Sequence, residues 1–498
     1  MNAAEHLLGA DALALHGGRV ALRCESVATS FAELAGQVRR AASAWGEFGA
    51  MRSDRILISL RDSPEFAAAW LGALHAGAVA IAVNGRLSIE DQRHMLADSG
   101  ARLFLVADEQ TPQARSLAGD GCIPLSRWRA AQAAGSLPPL QLAAEDPAFW
   151  LYSSGTTGRP KGIVHTHKDV LPAGQAMREV LGLQAGDTVV CTSRLFFAYG
   201  LEHGLLGTLS IGATAVLLPD GADPGQIPGI VAKHRPKAFF SVPSFYRRLL
   251  ALGRTALEPF REVRYCVAAG ERLPAAMLEQ WRETTGREIL SLYGMSETFC
   301  VAMMTPPGAS APARTGRPLA AVDTRLLNEQ GAVAAAGEQG VLWIRHPALA
   351  AGYANRPQAT REQFVDGWFC TRDVFVRDAE GFFVHQGRSD EFIKVAGQWV
   401  QPGELEEAVI ADGAITEAAC VPVDDADGFE RMALFVASSR TDSDTALAAA
   451  ALACEQKLPR HKRPKWIRSI AELPRTATGK VQRFKLRELL QRELAGKD

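Results

Sequence analysis

The chain has 498 residues, room for roughly three folding units of about 150 residues each. With 47% apolar and 22% charged residues it reads as an ordinary globular protein with a large core, which excludes disordered, collagenous and coiled-coil chains. Lysine and arginine total 54 against 55 aspartates and glutamates, a formal charge of −1, so the basic field needed for sequence-independent nucleic-acid binding is lacking.

The N-terminal stretch mixes Glu5, His6, Asp11 and His16 into short apolar runs, with no basic region ahead of them, so no signal peptide is expected. Phe31 to Phe48 predicts an amphipathic helix after the cap-like Thr29-Ser30, and RILISL (55–60) predicts a buried strand. Phe66 to Val83 is apolar except for His75, close to a bilayer-spanning length. Gly77 divides it into a helical FAAAWLGALHA and a strand-like AVAIAV, so a buried helix–turn–strand is expected and no membrane partner. Strands follow at ARLFLVAD (101–108), TVVCTS (188–193), ATAVLLP (213–219) and KAFFSVP (237–243), spaced as in parallel sheets with crossover helices. After Glu338, VLWIRHP, GWFCTRDVFVRD and GFFVHQG predict a β-rich, more antiparallel piece. From Asp390 onward strands near FIKVAG and AACVPV and helices near GELEEAVIAD and TALAAAALACEQKL predict a small α+β domain, with QGRSDEF (386–392) as the joint. Eight cysteines are scattered without a Cys-x-x-Cys pair, which fits reduced thiols of a cytoplasmic protein better than a zinc ribbon or a disulfide framework.

The strongest chemical signal is Tyr152-Ser-Ser-Gly-Thr-Thr-Gly-Arg-Pro-Lys-Gly162. Closely spaced backbone N–H groups and hydroxyls, with Lys161 as a point charge, can wrap phosphate oxygens. It is not a Walker A loop, because Pro160 stands five residues after Gly155 where that motif needs glycine. His165 and His167 have no cysteine or carboxylate at ligand spacing and are expected to be structural.

Further along come VAAGERLP (267–274), SLYGMSET (291–298), GWFCTRD (367–373), GRSDEFIKVAGQWVQPGELEE (387–407) and LPRTATGKVQRFKL (473–486). With the phosphate loop, this ordered set resembles the acyl-adenylate-forming superfamily of AMP-binding enzymes over roughly residues 20 to 490. The resemblance implies a large α/β N-terminal domain (1–387), a hinge (388–392) at Asp390, and a small mobile C-terminal domain (393–498). It implies ATP, Mg²⁺ and CoA as cofactor and co-substrates of a two-step reaction: a carboxylate attacks the α-phosphate, releasing pyrophosphate, and a thiol then displaces AMP. Ser153, Ser154, Gly155, Thr156, Thr157, Gly158 and Lys161 would hold the β- and γ-phosphates. Gly270 and Glu271 would frame adenine and Tyr293 would pack on it. Thr298 would bring its hydroxyl near the α-phosphate, and Glu297 would hold Mg²⁺. Asp373 would accept both ribose hydroxyls, and Arg388 would donate to ribose or phosphate. Lys480, at the tip of a polar loop, would offset the repulsion between carboxylate and α-phosphate, the kind of donor whose loss costs about 10²–10³ in rate. Rotation at Asp390 would withdraw Lys480 and bring in the strand from Lys394 to Gly397, where glycine lets the pantetheine arm pass.

RLFFAYGLEHG (194–204) and LPRHKRPKWIRSIAELPRTATGKVQRFKLRE (458–488) resemble the benzoate-CoA-ligase branch. There the positions matching Phe197, Ala198 and Tyr199 line the carboxylate pocket, joined here by His203 and Gly294. Glu202 and His203 stand where that branch reads an Asn after YGLG, and Gly207 replaces a bulky aromatic, which points to a deeper or differently polar pocket for a substituted or amino-bearing ring. Arg460 and Lys462 in a basic run are candidates for the phosphates of CoA. The expected activity is an aryl-acid:CoA ligase, a monomer or homodimer. A stand-alone enzyme loading a carrier protein is the alternative, and no carrier-attachment motif follows Leu486.

Overall fold

The computed structural model describes residues 1–132, 135–154, 160–271, 273–390, 393–395, 398–410, 414–425, 429–438, 442–475 and 481–495. These form two compact units, one from residues 1–154, 160–324 and 344–369, the other from 325–343 and 370–495.

In the first unit, helix Phe31–Glu47 begins at Ser30, whose hydroxyl accepts the Glu33 N–H while the Glu33 carboxylate accepts the Ser30 N–H. This reciprocal cap satisfies two of the otherwise orphaned donors of the first turn. Helix Pro64–His75 crosses it closely at Gly72, where an added Cβ would stand 2.6 Å from the Ala41 Cβ. The chain then turns at Gly77, with φ +77°, into strand Val79–Ala82. The apolar 66–83 stretch is thus the buried helix–turn–strand expected, and among the described residues no helix is long and apolar enough to cross a membrane.

One sheet of this unit runs, by strand, Gly352–Tyr353, Pro160–Thr166, Pro147–Ser154, Val79–Ala82, Arg55–Ser59, Leu103–Val106, Cys122–Pro124. It is parallel from Pro147–Ser154 onward and antiparallel at the other end. A second sheet has the parallel centre Ile289–Tyr293, Tyr265–Ala268, Ala238–Ser241, Thr188–Cys191, Thr214–Leu217 and Val20–Cys24. The central strands Thr214–Leu217, Ala238–Ser241 and Tyr265–Ala268 are buried at every position, as in a parallel sheet covered on both faces, whereas Arg23 of Val20–Cys24 is exposed. Trp45, Trp70, Trp128, Phe66 and Phe149 fill the core around them.

In the second unit, strand Phe383–Arg388 pairs antiparallel with the strand ending at Arg377, placing Asp373 opposite Arg388. Beyond it lie the hairpin Ile393–Val395/Gln398–Val400 and a three-stranded sheet, Glu417–Asp424, Glu430–Ala437 and Trp466–Ser469. Helices Pro402–Ile410, Ser443–Lys457 and Arg483–Ala495 complete it, and Leu405, Val409, Leu434, Ala450, Leu486 and Leu490 are buried. The fold is the mixed α/β architecture expected, with a β-rich piece and a small α+β part.

Candidate active site

Strand Pro147–Ser154 turns back into Pro160–Thr166, with Ser153 opposite Lys161. Gly155, Thr156, Thr157 and Gly158 lie outside the described residues, as do Gly397 and Lys480, and nothing is stated of the Ser154 and Lys394 side chains. Lys161 Nζ stands 3.1 Å from Glu297 Oε1 and 3.9 Å from the centroid of the Tyr353 ring. The Tyr353 hydroxyl lies 2.9 Å from the same Glu297 oxygen and 3.1 Å from the Gln363 side chain. Glu297 is 9% exposed, so its carboxylate is largely desolvated and strengthened in its pairing.

Two groups fix the backbone that carries this carboxylate. The backbone N–H of Ala350 donates to the Glu297 carbonyl. One residue earlier, the Ser296 carbonyl is 2.8 Å from Nε2 of His165, a fully buried imidazole. Nδ1 of that ring is 3.1 Å from Asp169, and its face stacks on Phe149 at 4.8 Å. His165 therefore anchors the loop that carries Glu297. His167 is structural in a different way: its Nδ1 accepts the Ala3 N–H at 3.2 Å.

Strand Ile289–Tyr293 ends at the half-buried Tyr293, and the following Gly294 packs with an imaginary Cβ 3.3 Å from the Cys300 carbonyl. Thr298 is fully buried, its hydroxyl donating to the carbonyls of Cys300 (3.1 Å) and Met295 (3.3 Å). Gly270 has φ +87°, a conformation that favours glycine, and leaves the neighbouring space open; Glu271 follows it.

Phe197, Ala198 and Tyr199 open a helix that changes from α (Ala198–Leu201) to π (Glu202–Leu206) and back (Gly207–Ser210). Phe196 and Phe197 meet edge to face at 4.4 Å, and the Tyr199 hydroxyl donates to the Ser241 carbonyl at 3.2 Å. Glu202 and His203 are both buried, with Glu202 Oε2 3.7 Å from His203 Nδ1. Burial pushes the glutamate pKa up to about 8 and the imidazole down to about 4, so both are neutral near pH 7 and form no ion pair. The Cys300 thiol donates to the Asp169 carbonyl at 3.9 Å. Gly207 opens no deeper pocket, contrary to the sequence expectation. An added Cβ would meet Gly174 N at 2.8 Å and Glu202 O at 2.9 Å, so this glycine serves a close backbone crossing.

The second unit carries its own polar cluster. Arg388 Nη1 is 3.3 Å from Asp373 Oδ1, and the same guanidinium grips Asp390 at 3.0 and 3.3 Å. His385 Nε2 is 3.6 Å from Asp373. An open cavity of about 480 Å³ is lined in part by Trp343, Cys370, Arg372, Ser389 and Asp390. In the basic run, Lys462 is paired with Glu404 and Lys465 with Asp425, and Arg463 donates to the Leu458 and Glu455 carbonyls; Arg460 is exposed.

A single desolvated carboxylate beside a lysine fits Mg²⁺, which is commonly held by one or two carboxylates together with substrate phosphates. Among the described residues no cluster of three or more histidine, cysteine or carboxylate groups offers an all-protein metal cage. Tyr353 and His165 were not singled out as functional from the sequence. Tyr353 belongs to a two-residue strand that leaves no periodic trace, whereas His165, visible in the His-Thr-His triplet, is the structural histidine expected, here anchoring the Glu297 loop.

The AMP-binding enzyme family model matches residues 10–354, and that of the AMP-binding enzyme C-terminal domain matches residues 404–480. A 3-hydroxybenzoate–CoA ligase of Aromatoleum sp. (strain CIB) is 37% identical, the match covering 99% of this chain and 97% of the relative. A benzoate–CoA ligase of Thauera aromatica is 35% identical, covering 98% and 95%. Among solved structures, a benzoate CoA ligase from Burkholderia xenovorans LB400 superposes with a TM-score of 0.87 at 32% identity, covering 98% of this chain and 100% of that one. An anthranilate CoA ligase in complex with anthranoyl-AMP gives a TM-score of 0.91 at 30% identity, covering 99% and 98%. With the ordered motifs, the α/β fold and the Lys161–Glu297 pair all in place, the chain belongs to the family of AMP-binding enzymes.

Proposed function

We propose that this protein is an ATP-dependent aryl-acid:CoA ligase. It converts a benzoate-class acid into an acyl-adenylate with release of pyrophosphate, then transfers the acyl group to the thiol of CoA with release of AMP. The observation that carries the reading is the Lys161–Glu297–Tyr353 cluster, in the same unit as the aromatic turn Phe197–Tyr199. Support comes also from relatives of full length that are hydroxybenzoate and benzoate CoA ligases.

In this mechanism Lys161 supplies a fixed cation to the phosphate loop, and Tyr353 and His165 hold Glu297 and its loop in one orientation. Glu297 would hold Mg²⁺, which neutralises phosphate charge when bound. Thr298 turns its hydroxyl from backbone carbonyls to the α-phosphate region. Asp373, steered by Arg388, accepts the ribose hydroxyls, and Tyr293 with Gly270 and Glu271 receives the base. Lys480 bridges the attacking carboxylate and the α-phosphate, and Phe197, Ala198, Tyr199, His203 and Gly294 enclose the ring. Asp390 is assigned the hinge between a large domain (1–387) and a mobile one (393–498), with Lys394, Gly397, Arg460 and Lys462 serving CoA. A cytoplasmic monomer or homodimer, without nucleic-acid or membrane partners, completes the assignment.

The test is a panel of aryl and short aliphatic acids assayed for ATP–pyrophosphate exchange and for AMP release with CoA. Aryl-dependent exchange and CoA-dependent AMP release are expected. ADP formation, absence of exchange with every aryl acid, or thioester formation on carrier proteins but not on CoA would overturn the assignment.

A further inference from the structure

His203 is 1% exposed. Its ring is flanked by two others, with centroids 4.7 Å from Tyr199 and 4.4 Å from Phe240. Nδ1 lies 3.0 Å from the backbone carbonyl of Tyr199. A carbonyl oxygen only accepts, so Nδ1 carries a proton. Burial lowers the pKa of this imidazole to about 4, which keeps it neutral in the cell and leaves Nε2 with a lone pair and no hydrogen. Nε2 is itself buried and has no hydrogen-bond partner. Glu202, a buried titratable neighbour, lies 3.7 Å from Nδ1. Buried acceptors in native proteins are nearly always matched, and this one is left unmatched between two aromatic rings at the turn assigned above to the acid, where a donor on the ligand would match it.

We propose that His203 Nε2 accepts a hydrogen bond from a hydroxyl or amino group on the ring of the acid, so that the enzyme selects hydroxy- or aminobenzoates over benzoate. This rests on the aryl-acid reading above and adds the polarity of the substituent. A methoxy, halogen or second carboxylate group presents no hydrogen to Nε2 and leaves the acceptor orphaned.

The test compares kcat/KM for AMP release by the full chain, with ATP, Mg²⁺ and CoA, across benzoate, the three hydroxybenzoates, the three aminobenzoates and their methoxy and fluoro counterparts. At least one hydroxy or amino isomer is expected to exceed benzoate and its own methoxy and fluoro counterparts by about 100-fold or more, the scale on which a site built for a donor rejects analogues lacking it. His203→Phe, which keeps a ring but removes the acceptor, should bring that ratio to within about threefold, and His203→Gln, which restores an acceptor oxygen, should recover part of it. A flat response of the wild-type enzyme to active aryl acids overturns the assignment, as does a preference that survives in His203→Phe. Should the variants fail to fold, the wild-type comparison of donor with isosteric non-donor decides alone. If no aryl acid releases AMP at all, the aryl-acid reading falls and this assignment with it, an outcome distinct from a flat panel of active acids.

Discussion

Tyr353 and Glu297, 56 residues apart, share a hydrogen bond of 2.9 Å onto the carboxylate oxygen that Lys161 reaches from 3.1 Å. The tyrosine acts on both partners, because its ring face also receives the lysine ammonium at 3.9 Å. Cation–π attraction and a phenol donor thus orient both charges, while each stays available to a phosphate or a metal. Tyr353→Phe keeps the ring and deletes only the donor. A hydrogen bond to a charged group contributes about 1.5–3 kcal/mol, so pyrophosphate exchange should fall by roughly 10–100-fold. The Mg²⁺ concentration for half-maximal exchange should rise, with little change in melting temperature. Titration of exchange against Mg²⁺ in both proteins checks this.

Lys480→Ala separates the two half-reactions. Adenylation should fall by about 10²–10³ or more, as when one preorganised donor is removed from a transition state. Thioester formation from a supplied acyl-adenylate and CoA should persist near the wild-type rate. Equal losses in both assays would remove the lysine from its assigned role.

Arg388 grips Asp390 through a two-pronged contact and reaches Asp373 with the same guanidinium. Asp390→Pro fixes φ at a position assigned to a hinge. Pyrophosphate exchange should stay within a few-fold of wild type, while CoA-dependent AMP release drops by roughly 10-fold or more, as expected when a gating motion is impaired. Stopped-flow measurement of each half-reaction distinguishes this from a general loss.

Buried titratable groups set the pH dependence of stability. Glu202 rises from its ordinary value near 4.5 to about 8 on burial, so the folded state binds its proton more tightly than the unfolded state. Its contribution is complete below about pH 4.5 and is lost as pH climbs toward 8, by at most about 1.4 kcal/mol per unit. His167, His203 and His346 act in the opposite sense: burial holds each near 4, so stability is lost as pH falls from 6.5. Above 6.5 these histidines are neutral in both states, which leaves a window where Glu202 can be seen apart from them. Glu202→Gln mimics the protonated form and should flatten the decline between about pH 6.5 and 8, measured by denaturant melts.

Much of this was legible in the sequence because local patterns carried it. The Ser30 cap, the Gly77 turn and the apolar strands at 55–59, 103–106 and 238–241 declare themselves through capping residues and runs too short and β-branched for helices. The motifs named Lys161, Glu297, Asp373 and Arg388, and the structure joins the first pair and the second pair at salt-bridge distance. What the sequence hid was long-range. Tyr353 reaches Glu297 only because Gly352–Tyr353 pairs with Val164 and Ile163, a register with no local signature. The meaning of Gly207 was misread for the same reason, since the backbone it accommodates, Gly174, lies 33 residues away. Lys462, a candidate for the phosphates of CoA in the basic run, is paired with Glu404 on a separate helix, a contact that no local pattern announces.

The π-helical turn at Glu202–Leu206 accommodates one residue more than a regular α-helical path would. Removing a single residue there would let the turn close as a regular α-helix with its flanks near their present phase, while shifting which residue of the turn occupies each position. A different side chain would then replace the imidazole beside Tyr199 and Phe240. Chain length at this turn, and not only residue identity, therefore decides which side chain packs against Tyr199 and Phe240, a variable that an engineer can set with one codon deletion.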